Sequence, residues 1–207
     1  KRGVNMRILI VYYSTFGNTY KMAQLIAEGI KESGGQPIIR RCPELIPENI
    51  IQSRADMKAG SDMQKDVPFV TLEDFKKVDG YIFGTPTRFG NVSAQMKNVI
   101  DQLGPLWMQR VFEGKPAGVF VSTGTSHGGQ ETTILTFMTV LLHLGCIIVG
   151  VPYSVPDLYL TKGGGSPYGP GHVAEAENKR EIDQNEANIC KAFGKRITEI
   201  AKKLKNS

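Results

Sequence analysis

Five short apolar runs alternate with helical patterns along this chain, and the alternation limits what the chain can fold into. The runs are Met6–Tyr13, Pro37–Arg41, Tyr81–Gly84, Ala117–Val121 and Cys146–Val149. Continuous apolar runs are typical of strands that helices cover on both faces. Strands that alternate with helices predict a parallel sheet with right-handed crossovers. We therefore expect an α/β fold with a doubly wound, five-stranded parallel sheet and helices on both faces.

The length of 207 residues is enough to bury one core without disulfides or metals. We expect a single domain, 1–207, that carries insertions at about 42–68 and 151–188. The first insertion is partly helical around Glu48 to Met57, and it either shapes the rim of a site or lies on the surface. The second contains the glycine-rich segment Lys162 to His172, which is either a flexible linker or an ordered loop at a site or subunit contact.

Three loops rich in Gly, Ser and Thr follow the first, third and fourth predicted strands. They occupy residues 14–19, 85–92 and 122–129. If the strands take the order 2-1-3-4-5, one of the common orders of doubly wound sheets, these three strands are neighbours. Ligands of such sheets bind beyond the carboxyl ends of the strands. We therefore expect the three loops to meet over one site.

The first loop opens directly into a helix, whose free N–H groups and dipole favour an anion. The hydroxyls of Ser14, Thr15 and Thr19 add neutral donors. The loop has no Lys, so it lacks the GxxxxGK[ST] pattern of a nucleotide P-loop, and it is not a GxGxxG dinucleotide motif. A phosphate that is held by hydroxyls and amides alone indicates a flavin mononucleotide (FMN) site.

The net charge of +5 raises the question of a nucleic-acid partner. Lysine and arginine crowd the C-terminal helix, but an apolar stripe runs along it at helical spacing, formed by Ile189, Phe193, Ile197, Ile200 and Leu204. The basic residues are then the solvated face of this helix, and no aromatic interleaving or helix-turn-helix pattern accompanies them. We expect no nucleic-acid partner.

The cysteines and histidines are scattered, with no CxxC or HExxH spacing. They are Cys42, Cys146, Cys190, His127, His143 and His172. Three distant cysteines are typical of a reducing cytoplasm rather than of a disulfide framework, and we expect no metal site.

The stretch Thr132 to Val151 is apolar over about the length of a membrane span. It nevertheless carries several threonines and His143, and Leu144-Gly145 interrupts it. This pattern predicts a buried helix followed by a short strand, so we expect no membrane insertion.

Four motifs resemble one known family in the same order along nearly the whole chain. They are Phe83–Asn91 (FGTPTRFGN), Leu106-Trp107, Ser122–Thr125 followed by Gly128–Glu131, and Gly164–Gly169 (GGSPYG). The sequence closely resembles the tryptophan-repressor-binding-protein (WrbA-type) family of flavodoxin-fold NAD(P)H:quinone oxidoreductases.

The resemblance implies a flavodoxin-like fold with the strand order 2-1-3-4-5. The protein would bind FMN without a covalent link, in a homotetramer in equilibrium with a homodimer. NADH or NADPH would transfer a hydride to the flavin, and a small quinone would then take two electrons in the same pocket and become a hydroquinone. The flavin carries this chemistry, so we assign no catalytic residue. The alternative is a flavodoxin-type one-electron carrier, which the basic charge and the two insertions disfavour. A regulatory protein that only binds partners is a third possibility, without a charged patch in its favour.

The resemblance also implies roles for individual residues. Ser14, Thr15, Phe16, Gly17, Asn18 and Thr19 would hold the phosphate, Thr87, Arg88 and Phe89 would line the isoalloxazine, and Ser122, Thr123, Gly124, Thr125, Ser126 and His127 would wrap its other edge. Trp107 would wall the pocket for nicotinamide and quinone, and His143 would reach the flavin of a neighbouring subunit.

Each of these roles has a structural alternative, and the chain departs from the family in two places. Arg88 would otherwise pair with a surface carboxylate, His143 would be a core residue, and Trp107 would be a core residue or an interface anchor. Phe16 stands where the family commonly has Tyr, so it offers stacking to the dinucleotide without a hydroxyl. Ser126-His127 replaces glycines, which puts a close backbone approach to the flavin in question there.

Overall fold

The computed structural model describes residues 5–205, which form six strands and eight helices. The strands are β1 Arg7–Tyr12, β2 Gln36–Arg41, β3 Gly80–Pro86, β4 Pro116–Thr123, β5 Ile147–Ile148 and β6 Gly171–Val173. The helices are α1 Asn18–Glu32, α2 Glu48–Ser53, α3 Ala55–Met63, α4 Ala94–Asp101, α5 Gly104–Met108, α6 Gln130–His143, α7 Asp157–Leu160 and α8 Gln184–Lys205. A 3-10 turn covers Leu72–Phe75 and begins with a capping box between Thr71 and Asp74.

The parallel sheet has the order β2-β1-β3-β4-β5, which confirms the predicted topology. The last strand, β5, pairs only with the beginning of β4, through Pro116 and Ala117. Strand β6 then pairs in parallel with the end of β4, where Ser122 lies opposite His172. We did not predict β6, because three residues at the end of a segment rich in Gly and Pro carry no periodic signal.

Both faces of the sheet are covered, as the apolar runs predicted. Alternate residues of β1 point to opposite sides. Leu9 and Val11 join one buried cluster with the aromatic side chains of Phe83 and Phe137, whereas Ile10 lies in a second cluster beneath α1 and α8. Of the predicted apolar stripe of α8, Ile189, Phe193 and Ile197 are fully buried in that second cluster and Ile200 packs partly buried against it. Leu204, near the end of the helix, is instead 41% exposed, so the predicted stripe is only partly confirmed.

The two predicted insertions are ordered segments. The first forms two helices, α2 and α3, because Arg54 adopts an extended conformation between them and divides the predicted helical stretch. In the second, Val151 N–H donates to Pro167 C=O at 2.9 Å, and Ser166 and Gly169 exchange backbone hydrogen bonds. The glycine-rich segment is therefore an ordered loop on the edge of the sheet, and α8 begins at Gln184, before the predicted end of the insertion.

Within residues 5–205, no helix is long and apolar enough to cross a membrane. The apolar stretch forms α6, which ends at His143, and Gly145 reverses the chain with a φ of 83° before β5. This is the predicted sequence of a helix, a break and a strand.

Candidate functional site

The three predicted loops enclose one cavity of about 60 Å³ at the carboxyl ends of β1, β3 and β4. Short backbone hydrogen bonds hold the strand ends together: Tyr13 N–H donates to Gly84 C=O at 3.0 Å, and Thr87 N–H donates to Ser122 C=O at 2.9 Å. The lining residues are Ser14, Thr15, Phe16, Asn18, Thr19, Pro86, Thr87, Arg88, Ser122, Thr123, Gly124 and Asn178. The strand order thus brings loops from distant parts of the sequence to one place.

The first loop presents hydrogen-bond donors that the described protein does not use. Gly17 precedes α1 with a φ of 90°, and no side chain caps the helix. Ser14 is 5% exposed, and its Oγ is without a hydrogen-bond partner among the described residues. Buried hydroxyls usually have a partner, and helix N-terminal amides favour anions. This donor set fits a phosphate group.

The first insertion supports that loop from behind. Gln64 Nε2 donates to Ser14 C=O at 2.7 Å and to Gly60 C=O at 3.0 Å. A Cβ at Gly60 would lie only 2.4 Å from the carbonyl oxygen of Thr15. The backbone of α3 therefore packs directly on the loop, so the insertion shapes the site rather than lying free on the surface.

Arg88 connects the second loop to the first. Its guanidinium donates to Thr15 Oγ1 at 3.0 Å and to Thr87 C=O at 2.9 Å, and no ion pair of Arg88 with a carboxylate occurs within residues 5–205. Thr15 Oγ1 in turn donates to the Tyr13 hydroxyl at 3.4 Å, and that hydroxyl donates to the carboxylate of Glu44. Burial raises the pKa of Tyr13, so its hydroxyl stays protonated and keeps this role as donor.

The second loop is anchored to α6, but its aromatic residue points away. Thr87 Oγ1 lies 2.8 Å from Thr133 Oγ1, which ties the loop to the first turn of the helix. Phe89 has a φ of 54°, and its side chain is fully exposed outside the lining of the cavity. A non-glycine residue in this conformation is strained. Its predicted place against the isoalloxazine stays a prediction.

The third loop divides between two clefts. Ser122, Thr123 and Gly124 line the three-loop cavity. Ser126 and His127 instead line a separate cleft of about 440 Å³ between the start of α6 and residues 161–166. Thr125 lines neither, and its carbonyl accepts a bond from Thr123 Oγ1 at 2.8 Å. The predicted flavin contacts of Thr125, Ser126 and His127 stay predictions.

Comparison with known proteins identifies the family. Residues 6–157 match the model of the NADPH-dependent FMN reductase family. The chain belongs to this family. It is 42% identical over 203 residues to an NAD(P)H dehydrogenase (quinone) of Geobacter metallireducens, with 97% of this chain and all of the relative covered.

Solved structures show the same fold. A WrbA-like flavodoxin of Agrobacterium tumefaciens superposes with a TM-score of 0.65 at 19% identity, covering 96% of this chain and 99% of that one. A flavodoxin from the domain Archaea superposes with a TM-score of 0.62 at 19% identity, covering 95% and 99%. These structures confirm the flavodoxin-like fold. The family match and the 42% identical quinone dehydrogenase confirm, together with this fold, the predicted family resemblance.

Two predicted site residues, Trp107 and His143, lie away from the three-loop cavity. Trp107, whose side chain is 52% exposed, and His143 line a pocket of about 360 Å³. That pocket is at the end of α6, roughly 20 Å from the helix start at a rise of 1.5 Å per residue. Within one chain these residues do not reach the three-loop cavity. The role predicted for His143 concerns a neighbouring subunit, and both roles stay predictions.

Phe16 and Asn178 lie at the edge of the cavity. Phe16 is half-buried, and the guanidinium of Arg54 lies 5.8 Å from its ring centroid. Asn178 completes the lining with a φ of 55°. We did not predict Asn178 as a site residue, because it lies outside the three loops and only the tolerance of Asn for left-handed turns distinguishes it.

Proposed function

We propose that this protein is an FMN-dependent oxidoreductase that transfers a hydride from NADH or NADPH to the flavin and then two electrons to a small quinone, giving a hydroquinone. One observation supports the proposal most strongly: the three loops meet at one cavity, where hydrogen-bond donors suited to a phosphate have no partner among the described residues. The family and the quinone-reducing relative, matched over its entire length, support the same activity. FMN, when bound, accepts the hydride and passes the electrons on.

The residues of the chain bind and orient the cofactor and the substrates. The amides and hydroxyls of residues 14–19 hold the phosphate. Hydrogen bonds to Thr15 and Thr87 hold Arg88 in place. Its positive charge can therefore stabilise negative charge on the cofactor without moving first. Phe16 offers a ring for the dinucleotide at the cavity edge.

An absorption spectrum of the FMN-loaded protein tests this proposal. We expect NADH or NADPH to bleach the visible absorption of the oxidised flavin, by about the full amplitude of a two-electron reduction, and a benzoquinone to restore it. The flavodoxin-type electron carrier is the alternative, and solved flavodoxins at under 25% identity support only the shared fold. FMN-loaded protein that oxidises neither dinucleotide in the presence of a quinone would refute the enzyme proposal.

We also propose that the chain assembles into a homotetramer or homodimer. Helix α6 exposes the uncharged side chains of Leu135, Thr139 and Leu142 at helical spacing, and Trp107 and Met108 are exposed beside its end. Exposed apolar patches of this kind mark association surfaces. A partner on this surface would allow His143 and Trp107 to approach a neighbouring flavin. Sedimentation of FMN-loaded protein tests the proposal, and a monomer at micromolar concentration would contradict it.

The expected single domain, 1–207, and the cytoplasmic location are further proposals. The contacts between α1 and α8 support the first, because helices from both ends of the chain pack together on one face of the sheet. Limited proteolysis tests the single domain, which should leave one protease-resistant core. The three free, buried cysteines suit a reducing compartment. Cell fractionation tests the location.

A further inference from the structure

We propose that Asn178 is a fourth anchor of the FMN phosphate, carried to the cavity by a turn whose end is fixed by a buried ionic cluster. The inference rests on the proposed FMN site and adds a residue from outside its three loops. We call residues 174–181 the closing turn.

The closing turn spans the cavity from the third loop to the helix that follows the first loop. At one end Ala174 N–H donates to Thr123 C=O at 2.8 Å. At the other end Glu181 forms an ion pair with Lys21 of α1 at 2.8 Å. Asn178 lies between these attachments, and it is half-buried, whereas both of its sequence neighbours, Glu177 and Lys179, are exposed. The turn therefore directs its neutral amide side chain, rather than its charged ones, toward the cavity.

The backbone of the closing turn suits this residue type. Asn178 has a φ of 55° and donates its N–H to Glu175 C=O at 3.1 Å. Apart from Gly, Asn and Asp tolerate this left-handed conformation best. Of the two, only Asn brings a hydrogen-bond donor and no negative charge. A donor is what a phosphate requires.

A buried cluster fixes the end of the turn. Arg180 Nη1 donates to Val173 C=O at 2.9 Å and to both carboxylate oxygens of Glu186 at 3.0 Å. The Glu186 side chain is fully buried, and it also accepts from Asp183 N–H at 3.0 Å, while Asp183 accepts from Glu186 N–H at 2.9 Å. This is a capping box at the start of α8. His172 Nδ1 lies 3.0 Å from the same carboxylate, so the turn is held against both β6 and α8.

The cavity carries little positive charge, so a bound phosphate needs neutral hydrogen-bond donors such as the Asn178 amide. Among the lining residues that the structure describes, Arg88 carries the only positive charge. Two of its guanidinium nitrogens already donate to Thr15 and Thr87. A phosphate dianion therefore depends on neutral donors for most of its hydrogen bonds, and a carboxylate at position 178 would repel it.

Binding of FMN and of riboflavin to the apoprotein, followed by flavin fluorescence quenching, separates phosphate contacts from ring contacts. Asn178→Gly removes the amide and keeps the left-handed backbone, whereas Asn178→Asp keeps the shape and adds a negative charge. Asn98→Asp makes the same charge change at an exposed position of α4. We expect the FMN Kd to rise about tenfold in Asn178→Gly and more in Asn178→Asp, as for a lost hydrogen bond to a charged group. The riboflavin Kd should stay within about twofold of wild type in all variants.

Three results would overturn the inference, and they are distinguishable. Wild-type apoprotein that does not bind FMN would refute the proposed function and this inference with it. If wild type binds FMN and both Asn178 variants bind it as tightly as Asn98→Asp does, only the role of Asn178 fails. Equal losses of FMN and riboflavin affinity would show that Asn178 does not act on the phosphate. Thermal unfolding of each variant verifies that it is folded.

Discussion

A substitution at Gly60 is the most direct test of whether α3 supports the first loop, residues 14–19. It lies buried inside α3, and a Cβ added there would be 2.4 Å from Thr15 O, 2.7 Å from Phe16 Cα and 2.8 Å from Phe16 C. All three are backbone atoms, so no side-chain rotation relieves the overlap. Ordinary contact begins at 3.4 Å, so α3 and the loop must separate by about 1 Å.

Two opposing effects set the size of the change in Gly60→Ala. Alanine favours a helix over glycine by about 1 kcal/mol. Overpacking in a well-packed region costs about 1–3 kcal/mol, and here it also strains the 2.7 Å bond from Gln64 to Ser14. We expect a net destabilisation of up to about 2 kcal/mol, which lowers Tm by up to roughly 8 °C. Because a 1 Å displacement also misplaces the phosphate donors, the FMN Kd should rise at least about tenfold.

Gly104→Ala is the matched control for this substitution. Gly104 begins α5, and an added Cβ would meet nothing within 4 Å. We expect unchanged or slightly higher stability and an unchanged FMN Kd. Thermal unfolding and flavin fluorescence titration measure both variants. If Gly60→Ala is more stable than wild type and binds FMN equally well, helix propensity alone explains it, and the packing argument is wrong.

Two further predictions concern Arg88 and Glu186. Arg88→Met removes the guanidinium and its bonds to Thr15 and Thr87, so the FMN Kd should rise about tenfold or more. Arg88→Lys should recover only part of the lost affinity. An unchanged Kd in Arg88→Met would contradict the role of Arg88 in FMN binding. Burial raises the pKa of Glu186, but hydrogen bonds from His172 and Arg180 outweigh it and hold the pKa below its ordinary value of 4.5. Because the folded pKa is lowered, the stability that Glu186 contributes is present above pH 4.5 and is lost as the pH falls through the folded pKa. Urea unfolding should therefore show a smaller acid-dependent loss in Glu186→Gln than in wild type, and equal losses would contradict this role.

The predicted strands and loops depended on local signals, whereas the strand order that brings the loops together came from the flavodoxin-like fold. The apolar runs placed the strands, and the rule for parallel sheets placed their carboxyl ends side by side. Thr15, Thr87 and Ser122 accordingly line one cavity. Phe89 belongs to the same loop as Thr87 but points to solvent, because a left-handed backbone turns its side chain outward, and a motif does not specify that direction.

The places of Asn178 and β6 could not be predicted from local sequence patterns. Neither has periodicity or a motif, and each owes its place to contacts with residues far along the chain. The closing turn depends on Arg180 bound to Glu186 of α8, and β6 exists because β5 leaves the end of β4 unpaired.

The sequence by itself determined the α/β class, the positions of the strands and the three loops that follow them, since each depends on patterns within a few residues and on general rules of chain topology. The strand order followed from the resemblance to a known family. Only the tertiary structure decided that α3 supports the first loop, that Asn178 joins the cavity, and that Trp107 and His143 lie at the far end of α6. These features depend on which surfaces pack together over long separations in the chain. Such packing is set by the shapes of the folded surfaces and leaves no periodic signal in the sequence.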